Sequence, residues 1–539
     1  MYRARLVSRL LIDTVALAIA LFITPQASIA APISSRLLID PVGNDGDIFG
    51  SSVASVGDVN GDGYDDIVIG AHFYPSGAGQ GQAYLYFGGP AMDPVADLVI
   101  AAPTGGAGWF GISAASAGDF NDDGYPDFIV GARNAMFTGK AFIYYGGPSL
   151  DATPDRTLTG EVAGSNSWFG NSVAPAGDVN GDGFDDVVVG APAYGAGSTS
   201  VGRVYVFLGG SSPDTVPDRA FTGPATYDRL GWVVGSAGDM NGDGYADVFA
   251  TAPRYYAGGT DPGAAYVWFG GPTSDTVADL TIHGTVLSER ISDAAGDDFN
   301  GDGFSDLVIT RENRAEVFCG GSHPNAVPDL TIPGAFGSVA GGDIDADGVS
   351  DIVLGASGDD TGGTDAGRVW VYFGAGALDA GEDLHFVGDG PNRFFGRNVA
   401  TARRLDGTGP EDLIVAAAQL DPEELGYDSG RVYAYANSFE TTAVPVAPAP
   451  GLVFLAPHPS PATSDVSLDL VLDHSVPVRI TIYDVAGHEV ARPVVDEWLA
   501  GRVTRTWRPR ALASGVYYVR ARLGDLEQVH KLVWLGRGR

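Results

Sequence analysis

The nonapeptide DVNGDGYDD, residues 58–66, decides the fold, because it returns along the chain. It recurs as DFNDDGYPD from Asp119, DVNGDGFDD from Asp178, DMNGDGYAD from Asp239, DFNGDGFSD from Asp298 and DIDADGVSD from Asp343. A seventh copy, RLDGTGPED from Arg404, is degenerate. Oxygen-bearing residues stand at positions 1, 3, 5 and 9, so alternate residues face one centre. Calcium is a hard cation that takes six to eight oxygens in flexible geometry. Gly63, at position 6, permits the positive φ that turns the loop back on itself. Four carboxylates and an amide crowded this closely repel one another without a cation. The alternative is an Asx-rich turn with no metal, but six independent turns have no reason to share one oxygen pattern.

The predicted ligands in the first loop are Asp58, Asn60, Asp62, the Tyr64 carbonyl and Asp66. In the second they are Asp119, Asn121, Asp123, Tyr125 and Asp127; in the third, Asp178, Asn180, Asp182, Phe184 and Asp186. The fourth offers Asp239, Asn241, Asp243, Tyr245 and Asp247, and the fifth Asp298, Asn300, Asp302, Phe304 and Asp306. The sixth offers Asp343, Asp345, Asp347, Val349 and Asp351. No metal is expected in the seventh, where Arg404 and Thr408 replace the first and fifth-position aspartates. An EF-hand needs a Glu at position 12 and a following helix. Here DIVIGA, DFIVGA, DVVVGA or DIVLGA follows instead, and short β-branched runs ending in glycine read as buried strands.

Successive loops start 61, 59, 61, 59, 45 and 61 residues apart. A period near 60 with about four strand signals per unit predicts a β-propeller. The last strand of each unit recurs as QAYLYFGG, KAFIYYGG, GRVYVFLGG, AAYVWFGG, RAEVFCGG, GRVWVYFG and GRVYAYAN, which gives seven blades. RLLID at 36–40 is a lone copy of the strand that elsewhere follows these segments. It is therefore expected to complete the seventh blade and close the ring, removing the exposed edges.

These residues resemble the FG-GAP repeats of the integrin α-subunit propeller and its bacterial relatives. Phe-Gly stands at 49–50, 110–111, 169–170 and 395–396, and Gly-Ala-Pro at 190–192, with Gly-Ala variants at 70, 131 and 355. Leu230-Gly231 is a softened copy, the fifth unit has Glu289-Arg290, and Phe336-Gly337 is displaced in the short sixth unit. The resemblance covers about 36–437 and implies that calcium loops lie on one face of a disc.

The formal charge is −36, and the six intact loops hold about two dozen of the 67 acidic residues. Six calcium ions leave roughly −24, which serves solubility. No basic stripe marks a nucleic-acid surface. Arg3, Arg5 and Arg9 precede an apolar stretch around VALAIALFI and then ASIA, so residues 1–30 read as a secretory signal, with a retained anchor as the alternative. No other stretch is long and apolar enough to span a membrane. The single Cys319 has no internal partner and reads as a small buried residue in a strand. Metal ions thus replace disulfides as staples of an exported chain.

The propeller is expected over 31–440, followed by a Pro/Ala linker at 441–451. Residues 452–539 carry 11 Lys/Arg against 9 Asp/Glu and short strand signals VSLDLVL, VRITIYD, EVARPVV, TRTWR, VYYVRAR and HKLVWL. These predict a small Ig-like β-sandwich. The pattern around Pro457-His458-Pro459, ITIYDVAGHEV and LASGVYYVRAR resembles the C-terminal sorting domain of type IX secretion cargo and the Ig-like domain of flagellar hook-capping proteins. The resemblance implies contact with secretion machinery and a secreted or surface-attached product; a plain accessory sandwich is the alternative.

No His-Glu-x-x-His, Gly-x-Ser-x-Gly or Cys-x-x-Cys is present, and the eight histidines are scattered. The chain therefore reads as a non-enzyme. In the implied topology, the face opposite the calcium loops carries His72, Phe73, Tyr74, Trp109, Trp168, Tyr194, Tyr227, Tyr255, Tyr256 and Tyr427. Tyr and Trp are favoured anchors, so the tyrosines and tryptophans are candidate contacts for an extracellular protein or glycan. The alternative for Trp109 and Trp168 is packing around the central channel. Adhesion is the leading function, a lectin the second, and a phospholipase-like hydrolase the third.

Overall fold

DIVIGA, at Asp66–Ala71, forms a strand whose six residues are all buried. The same holds for Asp127–Ala132, Asp186–Ala191, Asp247–Ala252, Asp306–Arg311, Asp351–Ala356 and Asp412–Ala417. A strand with one wet face alternates buried and exposed residues. Continuous burial means that both faces of each sheet are covered by neighbouring sheets. The computed structural model describes residues 35–39 and 47–436, the latter without 75–78, 91, 104–107, 136–137, 161–165, 196–199, 254–262, 273–274, 285–289, 377, 389, 408–409 and 418–429; it also describes 452–454, 466–484, 489–509, 515–523 and 526–534. The expected signal (1–30) and linker (441–451) lie outside them.

The chain divides into two compact units, Met1–Glu440 and Thr441–Arg539. In the first, the buried strand is the second of four antiparallel strands. The first sheet runs Phe49–Gly57, Asp66–Ala71, Gln82–Tyr86, Leu98–Ala101 in that spatial order. Seven four-stranded sheets of this kind occur among the described residues. Ser35–Ile39 pairs with Arg431–Ala436 and supplies the fourth strand of the seventh sheet, as the phase of the repeat predicts. The first strands of consecutive sheets touch all the way round, and Asn398–Ala402 of the seventh returns to Phe49–Gly57 of the first. The sheets are therefore propeller blades in an all-β unit, with no α-helix among the described residues.

Seven hydrophobic layers fill the spaces between blades, each built from two consecutive sheets. Val68 and Leu85 of the first meet Phe110, Phe128 and Phe142 of the second. Ile67 and Ile69, on the other face of that same first sheet, meet Ile414, Ala416 and Val432 of the seventh. Alternate residues of one strand thus serve two different layers.

The Phe-Gly and Gly-Ala motifs meet at these boundaries. A Cβ on Gly70 would lie 2.0 Å from the carbonyl oxygen of Gly111 in the next blade, and one on Gly190 2.1 Å from that of Gly231. Backbone approaches backbone there, and only glycine fits. Where the next blade lacks a well-placed Phe-Gly, the partner glycine is lost too. Thr251 precedes the fifth blade with its Glu289-Arg290, and Thr310 precedes the sixth with its displaced Phe336-Gly337. In the fifth blade a tight Arg311–Arg314 hairpin instead buries an Arg311–Glu316 ion pair at 2.6 Å.

The second unit departs from expectation. Six short strands were expected, but VSLDLVL and VRITIYD fuse into Val466–Asp484, and EVARPVV and TRTWR into Glu489–Trp507. Register shifts, including one between Leu472 and Val476, let a single strand bend through the apparent turn. With Leu452–Phe454, Gly515–Leu523 and Leu526–Trp534 they make one five-stranded sheet; the described strands do not form two separate sheets. Tyr517, Val519, Ala521 and Leu523 are buried while the residues between them are exposed, which gives this sheet one core face. Cys319 also differs: it lies one residue past its strand, Arg314–Phe318, and is half-buried, with burial pushing its thiol up to about 11.

The glycine contact gives a direct test. Gly190→Ala should lower unfolding stability by about 1–3 kcal/mol through overpacking, read from denaturant melts of the exported chain. Ala at Gly183, which has no atom within 4 Å of its Cβ position, is strained only by its φ of 92°. Equal melts for wild type and Gly190→Ala contradict the boundary contact.

Candidate metal loops and the opposite face

Each loop joins the end of a first strand to the start of the buried second strand. In the first, Gly57 pairs with Asp66 at the loop end and Phe49 with Ala71 at the far end. Loops and Phe-Gly segments therefore sit at opposite ends of the sheets.

Within the loop the predicted residues converge. Asp58 accepts from the N–H groups of Asp62 (2.9 Å) and Gly63 (2.7 Å), Asn60 Oδ1 from Asp62 N–H (2.8 Å), and Asp62 Oδ1 from Tyr64 N–H (3.0 Å). Asp66 is fully buried and accepts from Val59 N–H (3.0 Å) and Gly88 N–H (2.9 Å). The other five intact loops repeat this pattern, with Asp127, Asp186, Asp247, Asp306 and Asp351 as fully buried acceptors. In the sixth, carboxylate oxygens of Asp343, Asp345 and Asp351 all lie within 4.8 Å of one another. The degenerate loop keeps only the scaffold: Asp412 is buried and accepts from Leu405 N–H at 2.9 Å.

The charge in these loops is not matched by close ion pairs among the described residues, although Arg219 stands near enough to Asp186 to attract it. Among the described residues no Lys, Arg or His makes an ion pair with an aspartate at position 1, 5 or 9 of an intact loop. Burial, and then the neighbouring Asp62 and Asp58, push Asp66 up to about 7. Burial acts likewise on Asp127, Asp186, Asp247 and Asp351 (about 7) and on Asp306 (about 6). Clustered oxygens, backbone-fixed and lacking a counter-charge, fit a hard cation.

Sequence reasoning missed how the loops lock to one another. Position 4 also carries a positive φ: 78° at Gly61, 59° at Asp122 and 61° at Ala346. At Gly61 a Cβ would lie 2.5 Å from the Tyr125 ring of the next loop; Tyr245 covers Gly181 and Phe304 covers Gly242 in the same way. The aromatic preference at position 7 is thus a packing signal between loops. Backbone hydrogen bonds follow the same path, from Asp65 N–H to Arg404 O (3.2 Å), Ala246 to Asp178 (3.0 Å), Ser305 to Asp239 (3.1 Å), Ser350 to Asp298 (3.2 Å) and Glu411 to Asp343 (2.9 Å). Asp65, one of the crowded carboxylates, turns outward and accepts from Arg403 N–H at 3.1 Å.

At the far end, the candidate partner residues are less exposed than expected. Tyr255, Tyr256 and Tyr427 lie outside the described residues. Tyr227 is 48% exposed. Tyr74 and Tyr194 are half-buried against blade cores, and the Tyr194 hydroxyl accepts from Arg203 at 2.8 Å. Trp109 and Trp168 are half-buried and flank Arg133, whose guanidinium stands 4.0 and 4.9 Å from their rings. His72 and Phe73 also pack against Trp109. The residue before each Phe-Gly turn is left-handed: Ile48 (54°), Trp109 (62°), Trp168 (57°) and Phe394 (51°).

The raised aspartates fix a pH signature. Their folded pKa values of about 6–7 exceed the ~3.9 of a free aspartate. In metal-free protein their stabilising contribution is therefore full below pH ~4 and is lost as pH rises toward 7. Melting temperature after chelator dialysis should accordingly fall between pH 4 and 7. Saturating divalent cation should reverse the slope; parallel profiles under the two conditions contradict this electrostatic reading.

Family models match the chain in two regions. The FG-GAP repeat matches residues 49–86, 110–147, 169–207, 231–268 and 335–372, and the secretion system C-terminal sorting domain matches 457–534. Integrin alpha-5 of Xenopus laevis is 34% identical over 217 residues, 37% of this chain and 20% of the relative. Phosphatidylinositol-glycan-specific phospholipase D of Rattus norvegicus is 31% identical over 242 residues, 42% of this chain and 27% of the relative. The chain thus spans about a fifth to a quarter of the length of these relatives. The solved structure of PorZ, a bacterial surface component of the type-IX secretion system of Porphyromonas gingivalis, superposes with a TM-score of 0.40 at 12% identity, covering 92% of this chain and 60% of that one. The chain therefore carries FG-GAP repeats homologous to those of integrin α subunits and ends in a secretion-system sorting domain, the address of a protein exported to the cell surface or the extracellular space.

Proposed function

We propose that this is an exported, calcium-stabilised propeller that acts as a non-enzymatic adhesion module for an extracellular protein or glycan. The observation that carries the reading is the division between its two ends. One end repeats six loops, each with a buried position 9 carboxylate that forms no ion pair with Lys, Arg or His among the described residues. The other end presents aromatic and cationic side chains on left-handed turns. In each loop the position 1, 3, 5 and 9 side chains and the position 7 carbonyl would hold one Ca²⁺. The ion supplies the positive charge that lets those carboxylates stay ionised together. The loop at Arg404 would hold none. The sorting domain engages the secretion machinery.

The integrin relatives support adhesion, and the phospholipase D relatives support a hydrolase as the second reading. A lectin is a third reading, in which sugars stack on the aromatic end. Turnover of a phosphodiester panel that disappears in Tyr227→Ala would establish the hydrolase.

Binding to the native state alone stabilises it by about 2.7 kcal/mol per site at a hundredfold excess over Kd. Melting in excess calcium and in EGTA should therefore differ strongly, with Asp178→Ala giving a smaller shift than wild type. A melting curve indifferent to EGTA would sink the calcium assignment. For the partner end, a glycan array probed with wild type and Tyr227→Ala separates the ligand classes. Hits lost in the variant mean a sugar, whereas a blank array beside retention on protein-coated surfaces means a protein. Retention on neither surface contradicts the adhesion reading.

A further inference from the structure

A cavity of about 300 Å³ opens at the end of the ring opposite the loops, lined by Ile48, Ser51, His72, Phe73, Ile112, Phe394 and Arg397. Three blades build it. Ile48, Ser51, His72 and Phe73 come from the first, Ile112 from the second, and Phe394 and Arg397 from the seventh, so it straddles the ring-closing seam.

The walls are fixed from behind. Asn398 donates to Gly50 O (2.9 Å) and Ser51 O (3.2 Å), and Ser51 Oγ donates to Gly111 O (3.1 Å). Ile48 holds a φ of 54°, which a β-branched residue rarely adopts. Such an outlier persists only where surrounding structure imposes it.

Two side chains in this cavity, His72 and Arg397, bring polar groups that the described residues leave unmatched. His72 is 8% exposed, and its Nδ1 has no hydrogen-bond partner. A buried imidazole nitrogen without a partner carries a desolvation penalty. Arg397 makes no ion pair among the described residues, and neither does Arg133 behind Trp109. Burial and the positive charges of Arg133 and Arg397 hold His72 down at about 4, so it is neutral at pH 7. In a chain of net charge −36, this is a local excess of positive charge.

We propose that the cavity binds a carboxylate carried on an apolar stem, the anionic end on Arg397 and His72 and the stem against Ile48, Phe73, Ile112 and Phe394. A sugar would leave its hydroxyls unpaired against those four apolar walls. A phosphate dianion would bring more charge than the single lining guanidinium matches. The carboxylate can come from a free organic acid or from the C-terminal residue of a peptide. The proposal deepens, and rests on, the reading of this end as the recognition end.

The test uses the full-length exported chain, followed by calorimetry and intrinsic tryptophan fluorescence. The probes are 3-phenylpropionate and an acetylated Gly-Gly-Phe peptide with a free C-terminus, each beside its neutral amide. Both carboxylates should bind about tenfold or more tightly than their amides. Arg397→Gln, at an exposed side chain, should remove that difference while leaving the melting temperature unchanged; Arg403→Gln at the loop end should retain it. Tighter binding of the peptide than of the free acid assigns a chain terminus as the source, and the reverse assigns a free acid. Amides that bind as well as acids, an Arg397→Gln protein with full discrimination, or no binding of either probe by wild type overturns the proposal. Those outcomes leave the recognition reading standing, since the Tyr227 assays test it separately.

Discussion

The first unit depends on one buried carboxylate, used seven times. Position 9 of each nonapeptide is an aspartate with no solvent exposure, from Asp66 to Asp412. In the six intact loops its two oxygens accept backbone N–H groups from two places: position 2 of its own loop, and the glycine that follows the third strand. One side chain thus ties the loop, the start of the buried strand and the exit of the hairpin. Charge-assisted bonds of this kind are strong, yet burying an ionised carboxylate is expensive. The cation proposed for the six intact loops would offset that expense there, whereas Asp412 in the degenerate loop keeps its backbone bond from Leu405 N–H.

From this stitch the remaining architecture follows. The fixed loop sets the register of the first two strands, and that register places Phe-Gly and Gly-Ala where adjacent blades touch. Where position 4 is glycine, the position 7 side chain of the next loop lies on it, and together with backbone bonds between neighbouring loops this links the loop end into a collar. The collar includes the degenerate loop: Tyr64 packs on Gly407, and Asp65 donates to Arg404. A copy that has lost its ligands therefore still serves as a joint. With the ring held at that end, the far end is free to carry strained turns and unmatched arginines, features that suit recognition better than stability.

Much of this was legible in the chain because the signals are local. The oxygen pattern, the β-branched runs and the phase of RLLID specify loops, buried strands and closure, and Ser35–Ile39 pairs with Arg431–Ala436 as its phase demands. Non-local signals were not legible. Nothing near Tyr125 indicates that its ring covers Gly61, because the partner lies in another repeat. The choice between contact and packing for Trp109 and Trp168 is not legible locally, because Arg133 stands between their rings and follows a different strand. In the second unit, VSLDLVL and VRITIYD read as separate strands, but a register shift between Leu472 and Val476 carries one strand through both. His72 was read as one more loop residue; its orphaned nitrogen emerges only once three blades surround it.

The measurement that bears most directly on this account is the count of calcium ions bound per chain, taken by equilibrium dialysis and elemental analysis of the full-length exported protein. The account predicts six ions in wild type. It predicts five when any one position 1 aspartate of an intact loop is replaced by alanine, and still six when Asp406 in the degenerate loop is replaced. A wild-type count near zero, or a count unchanged by every loop substitution, would contradict the claim that buried carboxylates and their cations hold the ring together.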